Sequence, residues 1–266
     1  MSDSLAAALA TLRSRYGPEA LRTGALPEAA GFWATGVPAI DGVLSGGGLP
    51  HGRVTLIATG SRRGPSGRLS LLQALTAIAS RSRDVGYVDL AATLDPGYLA
   101  DLGAALSSCL VLDPGTGRWE RGLLMARSLV RAGLPWCAVA LGAPQPRPST
   151  WEQALVSLVE AVARRDAVCV IATPAPVAAP LAYASSLTLE CAADDWQRAH
   201  GDVTGLRVRV ATTKSKVHAP GGEATLLLRY PRPYTVAEVV GLPTVVVPRH
   251  STAADTSFAA ETAQAG

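Results

Sequence analysis

The chain predicts an α/β fold: a mainly parallel sheet covered by helices, with antiparallel strands at one side and an N-terminal helix extension. Three observations carry this. Short apolar runs alternate with helical ones from Val54 to Ala172, the pattern of strand–helix repeats. A glycine-rich turn separates the first of these strands from its helix. The last third holds three strand-like runs with no helix between them.

The elements follow in order. Leu5, Leu9, Leu12 and Tyr16 recur at spacings of four, three and four, one face of a helix that Gly17-Pro18 stops. Strands are expected at 54–59, 85–89, 109–112, 137–141 and 167–172. Helices are expected at 69–79, 96–105, 119–132 and 150–165. The helix-free runs are 186–191, 206–212 and 224–230. This divides the chain into a helix and linker (1–31), a core (32–232) and a C-terminal extension (233–266) expected to be disordered after about residue 250.

Composition narrows the classes. With 266 residues, 48% hydrophobic and 17% charged, the chain can bury one large core. The net charge of +3 comes with no dense Lys/Arg stripe, so it does not point to nucleic acid by itself. No apolar run is long enough for a bilayer and the start lacks a basic-then-apolar leader; a cytoplasmic, nucleoid-associated location is expected. Cys109, Cys137, Cys169 and Cys191 lack metal or redox spacing and read as reduced core thiols. His51, His200, His218 and His250 show no metal-ligand spacing.

The turn from Gly60 through Gly64 and Gly67 to Arg68 and Leu69 carries the most chemistry. A strand, a glycine turn and a helix start form a phosphate cradle, because backbone N–H groups point at the anion. The working pattern ends in Lys and then Ser or Thr, the lysine for the outer phosphates and the hydroxyl for magnesium. Here Arg68 and Leu69 occupy those positions, and leucine cannot ligate a metal.

The ordered set of fragments resembles a RecA-type core over residues 5 to 230. It comprises Leu5 to Gly17, Thr35-Gly36 to Asp41, Gly46 to Arg53, Tyr87 to Tyr98 with Leu102-Gly103, and Arg207 to Val210 with Lys214, Lys216 and Ala219-Pro220. The resemblance implies an N-terminal helix that docks on a neighbouring subunit, and paired lysines that reach across that boundary. It also implies a catalytic glutamate where Ala91 stands, and a magnesium-supporting acid where Leu141-Gly142 stands. The phosphate loop is about three residues longer than the family's. The two DNA-loop positions, 142–149 and 174–180, are short and proline-rich, with only Arg147 and Tyr183 as basic or aromatic residues nearby. Weak or indirect DNA binding is therefore expected.

Among RecA-like chains, eroded ATPase positions and a distinct tail are most similar to the ImuA group, accessory proteins of damage-inducible (SOS) mutagenesis. That resemblance implies a pseudo-ATPase with no catalytic residue, metal or cofactor. Its implied partners are RecA, an ImuB-type polymerase relative and an error-prone replicative-type polymerase. The expected partner surface is Leu5, Leu9, Leu12, Tyr16, Lys214 and Lys216. Gly64, Gly67 and Arg68 are a degenerate nucleotide site.

Alternatives stand beside each reading. Arg62, Arg63 and Arg68 contact phosphate or an acidic partner, or belong to a solvated loop that needs glycine for its backbone angles. The lysines serve a partner or are solvated strand-end charges; the N-terminal stripe docks on a neighbour or on its own core. Asp89, Asp95 and Glu120 read as structural, Asp95 as a helix start before Pro96. A DNA-stimulated ATPase with a divergent loop and a nucleotide-binding regulatory pseudo-ATPase are the competing functions.

Overall fold

The computed structural model describes residues 11, 14–15, 31–60, 65–217, 222–230 and 237–242. Of the expected N-terminal helix, Thr11, Ser14 and Arg15 are described, and they are helical and exposed. Leu5, Leu9, Leu12 and Tyr16 lie outside the described residues, as do Arg62, Arg63, Gly64 and the tail after residue 242.

A nine-stranded sheet forms the centre. Its strands are β3 (Arg53–Thr59), β4 (Val85–Asp89), β5 (Cys109–Leu112), β6 (Trp136–Ala140), β7 (Val168–Thr173), β8 (Leu187–Ala199), β9 (Asp202–Ser215), β10 (Glu223–Arg229) and β11 (Glu238–Leu242). The spatial order is β11-β10-β9-β8-β3-β7-β6-β4-β5. Pairings from β8 to β5 are parallel; those from β8 to β11 are antiparallel. β1 (Phe32–Trp33) and β2 (Leu49–Pro50) make a separate small antiparallel pair.

β4, β6 and β7 are buried along their whole length, which explains their continuous apolar sequences: helices cover both faces. One face packs on α2 (Arg68–Ser80), with Leu71, Leu72 and Leu75 against Ile57, Ala138 and Val170. The other packs on α4 (Trp119–Arg131) and α5 (Glu152–Arg165), where Trp119 and Trp151 meet at 5.2 Å between ring centroids. α1 (Pro38–Asp41), α3 (Pro96–Asp101) and α6 (Ala179–Ala184) are short.

Four differences from the sequence reading have local causes. The helix expected to reach residue 105 ends at Asp101, because Gly103 turns left-handed at φ 77°. β8 and β9 run far beyond the expected 186–191 and 206–212, closing in a two-residue turn with His200 at φ 51° and Gly201 at φ 89°. β11 pairs with β10, so the sheet continues past residue 232, where the sequence reading ended the core. α6 begins inside the 174–180 stretch, where the sequence reading expects a proline-rich loop, and continues to Ala184.

Candidate functional site

The glycine turn joins β3 to α2 at the carboxyl edge of the parallel sheet. Gly67 is the residue before the helix and is left-handed, at φ 73°. A Cβ at Gly67 would stand 2.6 Å from Val208 Cγ2 and 3.0 Å from Leu228 Cδ1, so the turn is pressed onto the antiparallel strands. Ser66 is buried; its Oγ lies 3.3 Å from Thr59 Oγ1 and accepts from the Arg68 N–H at 3.4 Å. One N–H of the helix start is thus directed to the chain's own hydroxyl.

Arg68 bends back over the sheet edge. Its guanidinium donates to the Leu141 carbonyl at 3.5 Å, and its Nε is buried without a hydrogen-bond partner among the described residues. Burial lowers its pKa, while proximity to Cys191 and Tyr87 acts in the opposite direction. Arginine remains charged at physiological pH. A fixed cation therefore stands at the β6 end, where the sequence comparison looks for a magnesium-supporting acid. Leu69, at the position of the metal-holding hydroxyl, packs against the core. Leu141 is fully buried, and a Cβ on Gly142 would clash with the Ala91 backbone at 2.8 Å. Neither Arg68 nor Leu69 offers a ligand for the magnesium of a nucleotide. No cluster of three or more potential metal ligands occurs among the described residues.

The acids near this edge are structural. Asp89 accepts from the N–H groups of Ala91 (3.1 Å), Thr93 (2.9 Å) and Leu94 (2.8 Å), which folds the segment that carries Ala91. Asp95 caps α3 through Gly97 N–H at 2.8 Å.

Sequence reasoning missed what surrounds the turn. A cavity of about 230 Å³ is lined by Thr59, Gly60, Pro65 and Ser66 on one side and by Asp194, Asp195 and Trp196 on the other. Asp194 pairs with Arg209 at 3.3 Å. Glu190 adds a third carboxylate: a Cβ on Gly60 would stand 3.1 Å from its Oε1. Carboxylates beside a phosphate cradle repel the anion that the cradle serves. Next to this, Tyr98, Tyr230 and Trp196 form an aromatic row, with ring centroids 6.2 Å and 6.5 Å apart. Burial pushes the Tyr98 and Tyr230 hydroxyls above their usual range. The Asp194-Asp195-Trp196 triplet was the available signal, but only the long hairpin brings it to the turn.

Lys214 and Lys216 converge on one target. Lys214 Nζ donates to the Ala182 carbonyl and to the Ser185 carbonyl at 2.9 Å; Lys216 Nζ donates to the Tyr183 carbonyl at 2.7 Å and lies 5.2 Å from the Tyr183 ring centroid. Together they complete the C-terminal end of α6, where unpaired carbonyls attract cations. Desolvation, then the charge of Lys216, lowers the Lys214 pKa. The first DNA-loop position is pinned to its own core, since the Trp119 and Trp151 indoles each donate into it at 3.2 Å, to Gly142 and Pro146.

A family model of the RecA N-terminal domain matches residues 3–139. The chain is 29% identical over 230 residues to Protein RecA of Symbiobacterium thermophilum, covering 74% of this chain and 64% of that protein. Over 103 residues it is 40% identical to Protein RecA of Thioalkalivibrio sulfidiphilus, covering 38% of this chain and 28% of that protein. The chain thus spans less than two thirds of the length of these relatives. The crystal structure of the RadB recombinase superposes with a TM-score of 0.57 at 17% identity, covering 73% of this chain and 94% of that one, which shows a shared fold. The family model covers just over half of the chain and includes the glycine turn: the chain belongs to the RecA family.

Proposed function

We propose that this chain is a non-hydrolytic RecA-family accessory protein of damage-inducible translesion synthesis, of the ImuA type, acting through protein contacts. One observation carries the non-hydrolytic part: the Arg68 guanidinium is turned onto the Leu141 carbonyl at the sheet edge, with the half-buried Leu69 packed against the core beside it. In-line attack on a nucleotide needs a metal bridging the phosphates and a group that orients water. Here a cation replaces the first and the methyl group of Ala91 the second.

The mechanism that follows is mimicry. The N-terminal stripe Leu5, Leu9, Leu12 and Tyr16 docks on a RecA subunit at a filament end, as a helix-in-groove contact. The docked chain adds no competent nucleotide site and filament growth stops there. The remaining surface recruits an ImuB-type polymerase relative and an error-prone replicative-type polymerase. Since Lys214 and Lys216 are bonded to α6, their part in a partner contact is to hold Tyr183, which is 83% exposed, at that surface.

The test is ATP turnover with single-stranded DNA, wild type against Arg68→Ala. The reading expects background turnover for both. Turnover in the wild type that Arg68→Ala abolishes would overturn it. A second reading, a regulatory chain that binds nucleotide without hydrolysis, is favoured by the aromatic row beside the helix start. Saturable nucleotide binding that Tyr98→Ala weakens would support it.

A further inference from the structure

Four arginines surround a hollow on the outer helix layer, at the far ends of α4 and α5. Arg127 and Arg131 come from α4 and Arg164 and Arg165 from α5; the hollow measures about 550 Å³, and Ser157 and Ala161 contribute to its lining. Glu160 is the one acid that lines it, and it is paired with Arg164 at 2.8 Å. Asp166, next in sequence to Arg165, lies 3.7 Å from His51 Nδ1. Four guanidinium groups against one carboxylate leave a surplus of three positive charges in the lining.

The helix dipoles account for part of this cluster. Arg131, Arg164 and Arg165 sit in last turns, and Arg165 donates to the Arg131 carbonyl at 3.1 Å. Arg127 lies a turn earlier, outside the reach of that effect, and it faces the same hollow. The dipole therefore does not explain why the cluster continues up α4.

We propose that this hollow binds the phosphate backbone of duplex nucleic acid, without sequence preference. Three features select that ligand. The cations are all arginine, whose planar fork matches phosphate oxygens bidentately. The lining contains no aromatic or large aliphatic anchor, the feature on which protein partners depend. It contains no ring on which an unpaired base can stack, so a single strand gains nothing beyond its phosphates. What remains is backbone contact that fixes position and carries no sequence information. The surface is separate from the glycine turn and from the two proline-rich loops, and it stands independently of the accessory reading above.

The experiment is fluorescence anisotropy of a labelled duplex with the full chain, across a salt series. With Arg164 held by Glu160, three phosphate contacts predict an affinity loss of about 40-fold between 50 and 200 mM salt, and the Arg127→Gln/Arg131→Gln double variant a loss of only about 3.5-fold, each contact adding about 0.9 to the logarithmic slope. Glu160→Gln frees Arg164 and should tighten binding, a gain of function that a misfolded protein cannot show. Arg198→Gln, on the hairpin away from the hollow, should change neither slope nor affinity. An unchanged slope in the double variant overturns the proposal. So does tighter binding of a single strand than of the duplex, or displacement of the duplex by poly-glutamate at equal charge concentration.

Discussion

Gly67→Ala separates a turn kept for its ligand from a turn kept for the fold. The native backbone there has φ 73°, and a Cβ would stand 2.6 Å from Val208 Cγ2, 3.0 Å from Leu228 Cδ1 and 3.3 Å from Leu206 Cδ2. The left-handed conformation costs an alanine about 1–2 kcal/mol. Overpacking against three buried aliphatic side chains of β9 and β10 adds about 1–3 kcal/mol. The total of about 2–5 kcal/mol is a large share of a typical stability, and lowers Tm by about 4–20 °C for a chain of this size. Thermal unfolding by circular dichroism, with no nucleotide present, reads it directly. A glycine with no packing constraint, kept only so that phosphate could approach, would lose no more than the left-handed cost, about 2–8 °C. A shift below about 1 °C, smaller than a single kcal/mol would give, refutes the packing argument.

Two further outcomes follow from buried titratable groups. Burial raises the Cys191 thiol from its ordinary value to about 12, and Cys169 is raised by its hydrogen bond with Cys137 and by burial. The folded pKa values lie above the unfolded ones, so this stability is whole below about pH 9 and is lost as pH rises from there, by up to about 1.4 kcal/mol per pH unit for each thiol. Urea unfolding of wild type and Cys191→Ala between pH 8 and 11 should show a shallower alkaline loss in the variant. Lys214→Met leaves the Ala182 and Ser185 carbonyls at the end of α6 without their cation. It should cost about 1–3 kcal/mol and raise amide exchange in residues 179–184, the short helix it holds.

Much of the fold was legible because the central parallel strands β4, β6 and β7 are buried along their whole length, and the edge strand β5, with Leu110 and Val111 exposed, is still a continuous apolar run. Val85–Asp89 and Cys109–Leu112 were read with the bounds the structure gives, and α2, α4 and α5 to within two residues. The hairpin was not legible beyond Cys191, because β8 loses its β3 neighbour there and Asp194, Asp195 and Trp196 are exposed. No alternation of apolar residues marks a strand that has left the core. β11 was hidden by the proline-rich run before it, and α6 by Pro180. At the site, the sequence showed that Arg68 and Leu69 replace the functional pair. It did not show that the guanidinium turns inward, which depends on the Leu141 carbonyl lying across the sheet edge. Nor did it show that Lys214 and Lys216 serve α6, since that follows from the register of the long β8–β9 hairpin, which sets Lys214 opposite Thr188.

The proposed role of this RecA-family chain rests on docking and not on hydrolysis. Titration of the purified protein into preformed RecA–single-stranded DNA filaments, following RecA's ATPase and filament length, tests it most directly. Inhibition and shortening at substoichiometric ratios are expected, with no turnover by the chain itself, and both are lost when Leu5, Leu9 and Leu12 are changed to charged residues. Filaments of unchanged length and turnover, or inhibition that survives that triple change, would contradict it.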